Sequence, residues 1–259
     1  MGLTNEQIIN TEQVLKDSLR YKFNNYSPEP ASMPFHTRLL GKDRMALFSF
    51  IHSLNTTFGT TVFEPVAEAL AKPRFKNTQT HTKSGKLISE AALFEIQKIM
   101  NNLETTTTSP NKMAEIESIR KVCQTGQTRK VKPTLVDLLL ETSENELFLF
   151  DLKTAKPNAG GFKEYKRTLL EWVAAALFLN PNAKVNTLIA IPYNPYEPEP
   201  YERWTIMGML DMKYELKVAE EFWDFIGGQG TYKELLDCFE RVGIELRDEI
   251  DQYFIRFNK

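Results

Sequence analysis

The 259 residues are 42% apolar and 25% charged with a net charge of −2, the profile of an ordinary globular protein able to bury a substantial core. That profile excludes a disordered chain, a coiled coil and an indiscriminate polyanion binder. No apolar run approaches the ~20 residues of a membrane span, the polar opening MGLTNEQIINTEQ has no signal-peptide core, and two lone cysteines with three scattered histidines (His36, His52, His81) offer neither a disulfide framework nor a zinc site.

In chain order, residues 4–24 read as an amphipathic helix opened by a capping box, Thr4 with Gln7 three residues on. The Pro-rich SPEPASMP (27–34) is a connector. Helices are predicted over 43–55 and 61–71 with TTFGT as the turn between them, then over 87–103 and 112–123, with the polar ETTTTSPN as a break. The period then changes. LVDLLL and LFLF are short apolar runs around the polar ETSENE, which predicts a β-hairpin of strands 134–140 and 147–153. FKEYKRTLLEWVAAALF (163–179) has helical spacing, VNTLIAIP (185–192) is a buried strand, and the tail from 216 is predicted helical with breaks at GGQG and Gly243. The fold class is α/β (α+β): a mixed central sheet flanked by helices, read as one domain with a core of about 59–192, a helical N-terminal region 1–58 and a helical C-terminal region 205–259.

The hairpin carries an anomaly. Asp137 interrupts one apolar run, and Asp151-Leu152-Lys153 ends the other. A carboxylate placed in a buried strand is costly unless it is paired or binds a metal. Residues i and i+2 share a strand face, so Asp151 and Lys153 point the same way, and the hairpin sets Asp137 beside Asp151. Two adjacent acids repel, which a hard divalent cation reverses; Mg²⁺ suits oxygen ligands and keeps waters, and a neighbouring lysine can orient the attacking water or stabilise charge on phosphorus. The alternative is an Asp137 that faces solvent and an Asp151 that simply pairs with Lys153.

This block resembles the core motif of the PD-(D/E)XK nuclease superfamily, here Pro133-Thr-Leu-Val-Asp137 followed by Asp151-Leu152-Lys153. The proline stands four positions before the aspartate instead of directly before it, so the likeness rests on Asp137 and the Asp-x-Lys. Such nucleases often add a glutamate from a preceding helix. Glu64 in GTTVFEPVAEALA is the first choice, against a reading of Thr61 and Glu64 as a second capping box, and Glu95 is the rival. The segments HSLNTTFGTTVFEPVAEALA, FDLKTAKPNAGGFKEYKRTLLEW and EEFWDFIGGQGTYKELLDCFERVG extend the resemblance to type II restriction endonucleases of the TdeIII/MjaII kind. That resemblance implies Mg²⁺-dependent cleavage of double-stranded DNA at a GGNCC-like site by a cytoplasmic enzyme of a prokaryotic cell, Asp137 and Asp151 as metal ligands with Lys153 and Glu64 completing the catalytic set, and association with a cognate DNA methyltransferase. A structure-selective repair or junction-resolving nuclease and a non-enzymatic nucleic-acid-binding protein are the alternatives.

Charge is segregated along the chain. No acid lies between Glu68 and Glu90, where Lys72, Arg74, Lys76, Lys83 and Lys86 fall, nor between Glu117 and Asp137, where Arg120, Lys121, Arg129, Lys130 and Lys132 fall. These two segments are expected to wall a DNA cleft, with Lys163 and Lys166 of FKEYKR at phosphates and Arg203 in the Pro/Tyr-rich loop 194–204 addressing a base. A homodimer is expected, because two-fold symmetry matches a palindromic site.

Overall fold

The computed structural model describes residues 2–26, 33–153, 161–201 and 208–255; most of the expected connector and Arg203 therefore lie outside the described residues. Helix α1 (Asn5–Asn25) begins with the capping box, Gln7 N donating to Thr4 Oγ1 (3.2 Å) and Thr4 N to Gln7 Oε1 (2.9 Å). Helix α2 (Pro34–Leu40) has proline in its first turn, where the missing N–H costs nothing. Gly41, at φ 91°, makes the corner into α3 (Lys42–Phe58), a backbone conformation that a side chain would strain.

The expected turn at TTFGT does not form. α3 continues through one π-helical turn (Gly59–Phe63) into α4 (Glu64–Ala71), with Glu64 N donating to Gly59 O. Pro65 explains the widening: it has no N–H for an i−4 carbonyl and its ring crowds that carbonyl, and a π turn accommodates both without ending the helix. The basic stretch after α4, to which the sequence assigned no element, contains an edge strand, β1 (Asn77–Lys83), whose threonines recur at every second position. β2 (Leu87–Ser89) takes the first residues assigned above to a helix, so α5 (Glu90–Glu104) starts later, where the Ser89 hydroxyl accepts from Ala92 N. α6 (Lys112–Val122), capped by Asn111, and β3 (Thr128–Lys130) follow.

The predicted hairpin is present as β4 (Leu135–Glu141) and β5 (Glu146–Leu152), turned through Asn145 at φ 59°, which asparagine tolerates. Then come α7 (Phe162–Leu179), β6 (Lys184–Ile191), β7 (Leu216–Val218), α8 (Glu220–Gly227), α9 (Thr231–Glu245) and α10 (Arg247–Ile255). The tail is thus not wholly helical: β7 adds a strand, and α9 runs through Gly243. GGQG does break the helices.

The strands form one five-stranded mixed sheet in the order β1-β4-β5-β6-β7, antiparallel across β1, β4 and β5 and parallel across β5, β6 and β7, plus the two-stranded β2-β3 pair. The β5-α7-β6 crossover places α7 on one face with α5 and α6, over Val185, Ile189 and the fully buried Leu169 and Val173. On the other face α1, α4, α8 and α9 enclose Leu138, Leu140, Phe150 and Trp223. Both faces of the central strands are covered, which is why β4 and β5 read as nearly continuous apolar runs.

Candidate active site

The candidate side chains gather at one end of the β4-β5 hairpin. Leu138 pairs with Phe150, and one further step of that register sets Asp137 opposite Asp151. On the other flank of β4, Thr80 pairs with Leu138 and Thr82 with Val136, so His81 stands opposite Asp137. His81, Asp137 and Asp151 therefore form a row across three adjacent strands. The ladder omits the His81–Asp137 pair, and His81 is held at φ 51°, an unusual conformation for a non-glycine residue in a strand.

Asp151 is buried, and its Oδ1 is held by Lys153 Nζ, which also lies 4.8 Å from the centre of the Tyr165 ring on α7. Asp137 Oδ2 accepts from Leu152 N at 2.7 Å. Glu64, only 2% exposed, projects to the same place from the first turn of α4. Burial, and secondarily the charge of Asp151, pushes the Glu64 carboxyl up to about 7. Burial likewise raises Asp151 to about 7 against the pull of Lys153, and the Asp137 carboxylate adds to the rise. Asp137 is raised by burial, opposed by the Leu152 amide, and pushed further by Glu64.

Glu64, not Glu95, is the glutamate whose charge reaches both aspartates; Glu95 pairs with Lys98 along α5 (3.5 Å). Nor does Glu64 close a capping box, since no helix starts at Thr61 and α4 has no side-chain N-cap. His81 Nε2 lies 3.1 Å from Glu64 Oε2, and among the described residues this buried oxygen has no hydrogen-bond donor. Three raised carboxyls, one with an orphaned oxygen, are an arrangement that attracts a cation. Among the described residues no three His, Cys, Asp or Glu side chains form a ready metal cage. Mg²⁺ needs none: one or two carboxylates with waters and phosphate oxygens satisfy it, so this donor set fits.

Two members of this site escape a reading of the sequence. His81, scattered among unhelpful histidines, is brought to Glu64 only by the β1-β4 pairing; the Thr alternation of NTQTHTK was the available signal for that strand. Tyr165 is a helical surface tyrosine until α7 packs beneath Lys153.

The basic residues divide. β1 and β4 continue past the sheet into β2 and β3, with Ser84 N donating to Thr134 O (2.9 Å) and Val131 N to Lys86 O (2.9 Å), so Lys83, Arg129, Lys130 and Lys132 lie on one ribbon beyond Asp137. This ribbon crosses α7 so closely that a Cβ on Gly85 would meet Ala175 Cβ at 2.9 Å. Lys83, Lys130 and Lys132 are exposed; Arg129 is paired with Glu90. Lys76, paired with Glu141 (2.8 Å), sits at the opposite end of β4, and Lys72, paired with Glu68 (3.0 Å), and the exposed Arg74 precede it. Lys163 is exposed and pairs with Glu104 (3.1 Å).

Lys166 is a correction. It is fully buried, with Nζ held by Glu115 Oε2 (2.5 Å) and Glu215 Oε2 (2.6 Å), and it does not face DNA phosphates. The reason is phase: Phe162, Leu169, Leu170 and Val173, at helical spacing from it, make the buried face of α7. Glu215 also binds Lys112 (3.0 Å), itself hydrogen-bonded to Thr187 (2.5 Å), which balances two lysines with two glutamates under the sheet. Burial pushes Glu215 upward, but Lys112 and Lys166 hold it net below the ordinary carboxylate range.

The family described as type II restriction endonuclease, HinfI, matches residues 3–243 of this chain. Type II restriction enzyme MjaII of Methanocaldococcus jannaschii is 28% identical over 265 residues, which span 90% of this chain and 68% of that protein. Two enzymes of Herpetosiphon aurantiacus are similar as well: HgiCII, 25% identical over 84% of this chain and 80% of its own length, and HgiBI, 26% identical over 92% and 89%. No helix among the described residues is long and apolar enough to cross a membrane.

Proposed function

The chain belongs to the HinfI family of type II restriction endonucleases, site-specific deoxyribonucleases acting on double-stranded DNA, and from that premise we propose that Asp137, Asp151, Lys153 and Glu64 are its catalytic residues, with Mg²⁺ held by the two aspartates. The observation that carries the assignment is the placing of Asp137 opposite Asp151 across the hairpin, with Lys153 paired to Asp151 and a buried Glu64 oxygen that has no hydrogen-bond partner among the described residues. When bound, Mg²⁺ supplies Lewis acidity toward water and a phosphate oxygen. The side chains do the rest. Asp137 is oriented by the Leu152 amide, which engages one of its two oxygens. Lys153, fixed between Asp151 and the Tyr165 ring, presents an ammonium where charge develops on the phosphoryl group. Glu64 offers an acceptor to a water and holds its proton there below about pH 7. The whole acts as a single endonuclease domain working as a homodimer in the prokaryotic cytoplasm, partnered by a methyltransferase for the same, GGNCC-like, site. Incubation of plasmid DNA with the protein and Mg²⁺, followed by sequencing of the ends, tests this reading. Discrete ends at one sequence are expected; junction-dependent nicking or no cleavage would overturn it.

A pH dependence follows with a definite sign. The folded site holds protons more tightly than the unfolded chain, up to about 7 for Glu64 and Asp151. Metal must displace them, so apparent Mg²⁺ affinity should fall roughly tenfold per unit as pH drops below about 7, and added Mg²⁺ should move the rate profile to lower pH. In EDTA the opposite slope is expected for stability: the native state binds more protons than the unfolded one between about pH 4 and pH 7, so the melting temperature should fall as pH rises through that window. A flat cleavage profile across it would remove the raised Glu64 and Asp151 carboxyls from the mechanism.

Salt dependence distinguishes the two groups of cations. Lys83, Lys130 and Lys132 stand on the ribbon beyond Asp137 without the pairing that occupies Lys72 and Lys76. Exchanging all three for Gln should flatten the plot of log affinity against log salt by up to ~0.9 per lost phosphate contact over about 50–200 mM. The Lys72, Arg74, Lys76 triple variant should change it less. Anisotropy titration of a site-bearing duplex in Ca²⁺ measures both, and equal slopes in the first variant and the parent would place DNA elsewhere.

A further inference from the structure

Helix α2 buries none of its residues, although Phe35 and Leu39, one turn apart, leave 84% and 82% of their surface in solvent. The neighbouring α3 is apolar on opposite faces. Ala46 and Phe50 are buried toward the body, where Phe50 meets Phe23 (5.6 Å between ring centres) and Tyr253 (5.3 Å). On the other side Leu47, Phe48 and Ile51 are exposed. A helix that is apolar all round is one that is covered all round. Gly41 folds α2 back against α3, so the exposed side chains of both, with Leu40, lie on one pair of packed helices.

Phe35 and Phe48 carry ~150–250 Å² each when fully exposed and the four aliphatic side chains about 60–120 Å² each, so the exposed fractions of these six amount to on the order of 500 Å² of apolar surface. That is in the upper part of the ~300–600 Å² of the largest patch on a typical monomer, a size that is often functional, and more than half of the ~800 Å² that each partner brings to a stable interface. We propose that α2 and α3 are the surface through which a second copy of this chain pairs about a two-fold axis, an inference that rests on the endonuclease reading above. The occupant is a second copy because one set of Asp137, Asp151 and Lys153 addresses one strand, and an isologous patch of this area completes a closed pair. A phosphate backbone would leave these side chains uncovered. α3 also runs through the π turn directly into Glu64. Ile51 and Glu64 lie on one helical rod, about 20 Å apart. Pairing there sets the spacing of the two active sites, and hence of the two cuts.

Sedimentation velocity of the full chain, with and without a short duplex carrying its site, compares the parent with Phe35→Glu/Leu39→Glu and with Ile9→Glu, a control exposed on α1 away from the patch. The parent and control should be dimers. The double variant should keep its far-ultraviolet spectrum, raise the dimer dissociation constant by roughly 100-fold or more, and nick plasmid instead of linearising it. A double variant that remains dimeric, or a control that dissociates equally, overturns the α2-α3 assignment and leaves the dimeric reading standing. A parent that stays monomeric in both states yet linearises plasmid overturns both. Should the double variant not fold, amide exchange of the parent decides: protection of α2 must fall on dilution, and concentration-independent exchange sinks the proposal.

Discussion

Replacing Asp137 by Asn, Asp151 by Asn or Lys153 by Ala should each lower single-turnover DNA cleavage at least roughly 1000-fold, the scale lost when one electrostatic element of a preorganised site is removed. The two Asn variants should do so without loss of fold. Their carboxyls are raised by burial, so in the metal-free protein the charged forms already oppose folding, and a neutral amide of the same shape relieves that opposition. Asn at 137 still offers an oxygen to the Leu152 amide, which Ala would leave without its acceptor at a cost of about 1–3 kcal/mol. Melting temperatures equal to or above the parent in EDTA, together with loss of the Mg²⁺-dependent increase in melting temperature, are the expected pattern. Lys153→Ala differs in one respect: it removes the ammonium that pairs with Asp151, so the proton on Asp151 is held more firmly and the rate profile should move to higher pH. Full cleavage by Asp137→Asn would place the catalytic centre away from the hairpin.

These residues were legible because a charged side chain inside an apolar run is a local contradiction that only pairing or a metal resolves, and both runs flank one short polar turn. The helices α1, α5, α6 and α7 were legible for a similar reason, each having a cap or a sustained apolar stripe. What was not legible is non-local. β2, β3 and β7 have three residues each, too few to show any period, and exist because a neighbouring strand offers its free edge. Pro65 reads as a helix start by local rules, and only the packing of the π turn and α4 against α1 favours a π turn over a break. The row of His81, Asp137 and Asp151 needs the β1-β4 register, which lysines and threonines conceal as a basic loop. Glu64 was preferred to Glu95 on the likeness of GTTVFEPVAEALA to a helix of restriction endonucleases, and only the packing of α4 shows that it comes close to the two aspartates.

Lys166 illustrates the same limit with a larger energetic consequence. At the start of α7, inside FKEYKR, it reads as one of three cations facing phosphates, yet its partners Glu115 and Glu215 lie 51 and 49 residues away in sequence. Lys166→Met should therefore destabilise the fold by about 3–5 kcal/mol, because Glu115 is left as an uncompensated charge in the interior and Glu215 keeps only Lys112. Removing both members, Lys166→Met with Glu115→Leu, should recover much of that loss, since an apolar pair of similar volume avoids the desolvation of two ions. Lys163→Ala, three residues earlier but exposed and paired with Glu104, should change stability by no more than about 0.5 kcal/mol. DNA affinity must sort the other way: Lys163→Ala weakens binding in low salt, whereas the folded double variant at 115 and 166 retains the salt slope of the parent. Urea unfolding of the three proteins, combined with the salt titration, measures both quantities. A Lys166→Met protein within about 1 kcal/mol of the parent but with a reduced salt slope would return Lys166 to the DNA surface and dissolve the buried quartet.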